Sequence, residues 1–334
     1  MSLKGCGYRF MIKLPIELDP ILKTYQNTAL PFSALMAQNT NAVVFAINNF
    51  SHLYCDNDSL TKFNFYYPWF RYWDIIDVHS IIRSDYIENL KISIIDYIKD
   101  SINNGGYVYT TVNEYYVPHR KAHMKYNYEH DILVHGYDDQ HFYILGYDEN
   151  GHYRETPILQ KDFQNAYKTT FSRKYTISFT SATYNKYVID EKLNCNFISD
   201  YILSKNSFKR FPFSESRQLE FSWGINAVKK MMGISEQYFI NEHCVDIRYF
   251  DVYCQHIKLM KLRIEKIIDS SQSIEYLNKY DEIFRKARII KNLAIKTNLT
   301  GSKSVFDELI NFINNIIDAE KNTLESILMH QNQL

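Results

Sequence analysis

Glycine and proline are scarce: ten Gly and seven Pro in 334 residues, well under the roughly 12% of an average chain. That scarcity excludes collagen-like repeats, linker-like tracts and Gly/Pro-rich disorder. It also argues against chemistry built on several glycine-rich phosphate loops. The five cysteines, Cys6, Cys55, Cys195, Cys244 and Cys254, are odd in number, irregularly spaced and without a CxxC pair. They support neither a disulfide framework nor a cysteine zinc site. No charge of one sign dominates, since Lys plus Arg and Asp plus Glu each number 38. A nucleic-acid binder usually carries a basic surplus, so no nucleic-acid partner is expected. No apolar run approaches the roughly 20 residues that span a bilayer, and the N-terminus lacks a signal-peptide core with a small-residue cleavage site. These absences predict a cytoplasmic protein with no membrane partner.

Aromatics are abundant: 28 Tyr, 21 Phe and 3 Trp, with hydrophobic residues at 46%. A chain of this length and composition supports about two cores. Pro15, Pro20 and Pro31 predict a largely extended or turned N-terminal segment. Asn39-Thr40-Asn41 then offers capping side chains for a mostly buried helix from Ala42 to Leu53. Residues 85–102 show a helical stripe through Ile87, Leu90, Ile94, Ile95 and Ile98. After Gly105-Gly106 the period changes to two: Tyr107–Val112 reads as a strand, and Asp131–Gly136 with His141–Tyr147 as a hairpin. Lys161–Tyr167 reads as a short helix and Lys174–Phe179 as a further strand. From about Lys192 the pattern is helical. It includes Gln218–Met232 closed by Gly233, Asp246–Asp269, and a helix from Ser304. The expected fold class is therefore α+β, with a mixed domain at 1–185 and a helical domain at 186–334.

The segment from Tyr107-Val108-Tyr109 through Glu114-Tyr115-Tyr116-Val117-Pro118 to His130-Asp131-Ile132-Leu133-Val134-His135-Gly136-Tyr137-Asp138 and Tyr143-Ile144-Leu145-Gly146-Tyr147-Asp148 resembles papain-like cysteine peptidases of the bacteriocin-processing type. It resembles more closely still the butirosin-biosynthesis-protein-H-like family, found with natural-product assembly lines. His130, Gly136 and Asp148 fall on the family's His, Gly-Tyr-Asp and acidic positions. The helical half, with Asp246-Ile247-Arg248 and His256–Met260, resembles the C-terminal part of such proteins. The resemblance implies a papain-like cysteine-peptidase-type domain, with an antiparallel sheet and a central helix, ahead of the helical domain. It implies acyl or peptidyl transfer in bacterial natural-product biosynthesis. A carrier-bound thioester would be the donor, an acyl- or peptidyl-carrier protein the partner and a small amine the acceptor, with no cofactor. His130 would be general base and Asp148 its orienter.

A papain-like nucleophile is a cysteine at the head of the central helix, where the dipole lowers the thiol pKa. With Ala42–Leu53 as that helix, its head reads Gln38-Asn39-Thr40-Asn41 and carries no cysteine. Thr40 is then the candidate oxygen nucleophile and Gln38, with nearby backbone N–H groups, the oxyanion donor. The alternatives are that Asn39, Thr40 and Asn41 are caps only, and that the chain is a catalytically inactive relative, a binding or scaffold module of the same pathway. Zinc held by His119, His123, His130 and His135 is disfavoured, because His130 and His135 have opposite parity on a strand. No metal is expected. The basic run Lys258, Lys261, Arg263 and Lys266 reads as a solvated helix face that could dock an acidic carrier protein.

Overall fold

The computed structural model describes residues 10–38, 41–56, 62–67, 75–172, 174–181, 188–210, 220–268 and 273–331. In chain order the elements are β1 (Met11–Lys13), α1 (Gln26–Gln38), α2 (Asn41–Asn49), β2 (Leu53–Cys55), β3 (Phe63–Phe65), β4 (Ile76–Arg83), α3 (Ser84–Asn89), α4 (Ile94–Asn103) and β5 (Tyr107–Asn113). A 3-10 turn (Glu114–Tyr116), β6 (Glu129–Asp138), β7 (His141–Tyr147), β8 (Tyr153–Leu159), α5 (Gln160–Lys168) and β9 (Tyr175–Ser181) follow. The remainder is α6 (Glu191–Ile202), β10 (Ser222–Trp223), α7 (Gly224–Glu242), α8 (Ile247–Ile267), α9 (Ser273–Thr300) and α10 (Lys303–Gln331). The architecture is mixed α+β with a helical C-terminal region. The chain divides into two compact units: Met1–Ala42 with Phe70–Lys186, and Val43–Trp69 with Tyr187–Leu334. A single boundary at 185/186 misses the segment Val43–Trp69, which belongs with the helical unit.

The first unit is built on an antiparallel sheet in the order β4-β9-β5-β6-β7-β8, with β1 added along the far end of β6. Alternation sorts its side chains to two faces. Val108, Val112, Ile132, Val134 and Ile144 meet Ile94, Ile98 and Ile102 of α4 and Phe163 of α5. On the other face Tyr107, Tyr109, Leu133, Leu145 and Phe179 meet Leu30 and Ala34 of α1. The helix that crosses the sheet is thus α1, not the helix at 42–53 expected as the central one. Pro31 lies inside α1 and removes one backbone donor, which is why the segment reads as extended. Burial of Ala29, Leu30, Phe32, Ala34 and Leu35 outweighs that loss, each large side chain contributing about 1.5–3 kcal/mol.

The helix expected over 85–102 is broken. Lys91 adopts a left-handed φ of 52°, Ile92 N–H folds back to Ile87 C=O at 2.9 Å, and Ser93 caps α4 by accepting from Asp96 N–H. A serine at such a position competes with helix continuation by starting a new helix. In the second unit α7 runs through Gly233 and ends at His243, in the left-handed conformation. Gly233 is therefore not a cap; a Cβ there would meet nothing within 4 Å, so the helix simply tolerates it. The short sheet β10-β2-β3 and helices α6–α10 complete this unit. Its interior holds Glu320, fully buried, whose carboxylate accepts from the hydroxyls of Tyr201 (2.8 Å), Tyr253 (3.2 Å) and Tyr280 and faces His256 Nε2 at 3.5 Å. Arg263, expected on a solvated face, is fully buried there too. It donates to Asn194 Oδ1 at 2.8 Å and to the Ile47 carbonyl. Among the described residues no helix is long and apolar enough to cross a membrane.

Candidate functional site

The register of β5 against β6 pairs Val112 with His130 and Asn113 with Glu129. Glu114 N–H extends the ladder to Tyr128 C=O at 2.7 Å, so Glu114 lies on the His130 face, one diagonal away. Asn113 locks the turn, its Oδ1 accepting from Tyr115 N–H (3.1 Å) and Tyr128 N–H (3.2 Å). The result is a contact of 3.0 Å between His130 Nδ1 and Glu114 Oε1. The Glu114 carboxylate is buried and the imidazole about one-third exposed. A carboxylate accepts only, so Nδ1 carries the hydrogen and a neutral imidazole keeps its lone pair on Nε2.

The head of α1 meets this pair. Gln26 Oε1 accepts from Tyr147 N–H at 2.9 Å, and its Nε2 donates to the Asp131 carbonyl. These partners fix the amide orientation and leave Nε2 3.4 Å from His130 Nδ1. Gln26 thereby ties α1 to β6 and β7 at once. Behind it lies Arg120, almost wholly buried, which donates to the Tyr147 carbonyl and sits with Nε 3.9 Å from Glu114 Oε1. Burial lowers the affinity of this guanidinium for its proton, and the charges of Glu114 and Asp148 act in the opposite direction. Gly146 gives the guanidinium its room: a Cβ there would sit 2.5 Å from Arg120 Nη2 and 2.9 Å from Gln26 Oε1. Tyr128 forms the outer wall, its ring 5.6 Å from that of His130 and itself flanked by Tyr126.

The expected site residues do not assemble as a set. His130 stands at the cluster, but Asp148 does not orient it. Asp148 accepts from Asn150 N–H and His152 N–H, both at 2.9 Å, and faces Arg154 at 3.5 Å. Burial alone would raise its pKa, but the N–H groups of His152 and Asn150 hold its carboxyl below the usual carboxylate range. The physical reason is the Asp148-Glu149-Asn150-Gly151 turn, which uses the carboxylate as an Asx turn does. Gln38 is at the wrong end of α1. This helix has 13 residues, which at 1.5 Å per residue separates Gln38 from Gln26 by about 18 Å. The Gln38 Oε1 accepts from Ser181 N–H at 3.0 Å. Thr40 lies outside the described residues.

Gln26, Glu114 and Arg120 are not singled out by sequence reasoning. Glu114 does stand in the quoted strand motif, and a glutamate two positions after a buried strand residue is a usable signal. Arg120 sits in a loop of polar residues that gives no hint of its burial. Of the other histidines, His135 is buried between Leu14 C=O (3.1 Å) and Glu155 (2.9 Å), whereas His119 is exposed beside Glu149 at 3.9 Å. Among the described residues no group of three or more His, Cys, Asp or Glu is placed to hold a metal ion. The described cysteines, Cys55, Cys195, Cys244 and Cys254, all belong to the second unit. Burial raises Cys55 to about 11 and Cys254 to about 12, the opposite of an activated thiol. Comparison of the sequence with models of known families and with curated proteins finds no match to either.

Proposed function

We infer that the first unit is a papain-like domain that holds an acyl or peptidyl group without covalent catalysis, as a binding module in bacterial natural-product biosynthesis. The observation that carries this reading is Gln26. The resemblance expects a cysteine at the head of the sheet-crossing helix, beside the histidine. The residue there is a glutamine with both ends of its carboxamide engaged. An amide nitrogen is no nucleophile, so an acyl-enzyme has no atom on which to form at this point. What remains is a half-open histidine backed by a buried carboxylate and walled by tyrosines, a surface suited to hydrogen-bonding and packing against a thioester-linked group delivered by a carrier protein. Titration of isotope-labelled protein with acetyl-pantetheine is expected to shift resonances of Tyr128, His130 and Glu114, and His130→Ala to abolish the shifts. Shifts confined elsewhere, or unchanged in His130→Ala, overturn the reading.

A second reading rests on the His130–Glu114 contact itself. With Nδ1 engaged, Nε2 can take a proton from an amine as its nitrogen attacks a bound thioester directly, without an acyl-enzyme; the C–S bond breaks as the amide forms, and the departing thiolate of the carrier takes the proton from the imidazolium. Under this reading aminolysis of acetyl-pantetheine is accelerated by the protein and falls at least about 100-fold in His130→Ala, the usual contribution of a general base. Under the binding reading the protein does not accelerate it.

A further inference from the structure

The break between α3 and α4 opens a hollow that the His130 site does not involve. Its volume is about 380 Å³, and its walls come from the end of α3, the head of α4 and the last turn of α5. Ile87 and Tyr167, both buried, form the floor, and Ile92 stands at the rim, more than one-third exposed. Lys91 and Lys168, both exposed, also line it. Among the described residues no carboxylate lies within ion-pairing distance of either, whereas Lys261, Lys279, Lys286, Lys303 and Lys321 each face a glutamate or aspartate one helical turn on or back. Glu88 is the one acidic side chain among the described residues of the lining. With two lysines and one glutamate, the lining carries a local positive excess in a chain whose formal charge is zero.

The backbone of the break adds to this. Lys91 is held at a φ of 52°, a conformation that costs a non-glycine residue free energy and is found where structure over-determines it. The turn that imposes it, with Ile92 N–H on Ile87 C=O, is also what aims the Lys91 side chain and Ile92 at the same hollow. The size suits a small ligand, and walls that are mainly apolar with a few charged or polar groups are typical of such sites.

We propose that this hollow binds a small amphipathic anion, a carboxylate at Lys91 and Lys168 with its alkyl chain against Ile87, Ile92 and Tyr167. The inference stands apart from the reading of the His130 site, since no residue is shared. The test is calorimetric titration of the full chain with octanoate, with inorganic phosphate and octanol as head-only and tail-only probes. Saturable one-to-one octanoate binding is expected, weakened at least tenfold in Lys91→Glu/Lys168→Glu and, as a milder change, in Lys91→Gln/Lys168→Gln. All four substitutions are on exposed side chains, and an unchanged unfolding midpoint verifies the fold. Absence of saturable binding, equal affinity in the double variants, or binding of phosphate or octanol as tight as octanoate overturns the proposal. Equal phosphate binding would mean an adventitious ion only.

Discussion

A methyl group on Gly146 would strike Arg120 and Gln26 together, and that single crowding shows how the candidate site is held. Arg120 is a buried cation between Glu114 and Asp148, with its Nη1 on the Tyr147 carbonyl. Two of its nitrogens, Nε and Nη2, are buried without a hydrogen-bond partner among the described residues. The Tyr147 carbonyl and the charges of Glu114, at 3.9 Å, and Asp148 are thus its compensation for leaving water. Removing one partner of such a pair leaves the other charge stranded. Arg120→Met is expected to lower the unfolding free energy by about 3–5 kcal/mol, read by urea denaturation, and Arg120→Met/Glu114→Gln by less than the single variant. Equal or greater loss in the double variant would show that the two charges are not coupled. At this scale the sequence is informative about His130, because strand periodicity places it on the same strand as Gly136-Tyr137-Asp138. It is silent about Arg120, because loop polarity says nothing of which loop side chains a fold will swallow.

Elements are legible where periodicity is strong and misleading where a local rule is overruled. The hairpin β6–β7, α5, β9 and α8 lie where alternation and helical stripes put them. The sheet-crossing helix is displaced by one element from its expected place, because Pro31 argues against helix and only tertiary burial of its neighbours overcomes that local preference. The same displacement makes Gln38 and Thr40 look like site residues in the sequence and leaves Gln26 out. At the end of α5 another charge meets helix geometry: Lys174, buried, donates to the Tyr167 carbonyl and Thr170 Oγ1 and lies 4.0 Å over the Tyr167 ring. A cation at a helix C-terminus is favoured by the dipole, yet burial lowers the Lys174 ammonium from 10.5 to about 8. The folded chain then gives up this proton first. Above about pH 8 the unfolded chain binds more protons, so this group adds stability as pH rises from there toward 10.5. Between about pH 7 and about pH 9, before tyrosines ionise, the wild type is expected to gain stability relative to Lys174→Met. Parallel pH profiles of the two proteins would contradict this.

For the whole molecule, the tyrosines that set the composition apart have two distinct uses. Some wall the His130 site; others are hydrogen-bond donors to a carboxylate deep in the helical unit. Burial would raise the pKa of Glu320, but His256 and the hydroxyls of Tyr280 and Tyr201 hold it below the ordinary value. A depressed carboxyl contributes stability above its unfolded pKa and loses it as pH falls through the folded one. Glu320→Gln is expected to destabilise the chain by about 3 kcal/mol or more and to flatten its acid-unfolding profile; an unchanged profile would assign acid sensitivity to other groups. Mixed α+β ahead of helices is legible from the change of period near residue 105. The membership of Val43–Trp69 in the helical unit is not, since its contacts are long-range and leave no local signature.

Under the proposed function, a ligand at the His130 site is held without covalent attachment. Intact-mass measurement of the protein after incubation with acetyl-pantetheine tests it most directly. The mass is predicted to remain that of the unmodified chain at every time point. A stoichiometric acetyl adduct that is lost in His130→Ala would contradict the account.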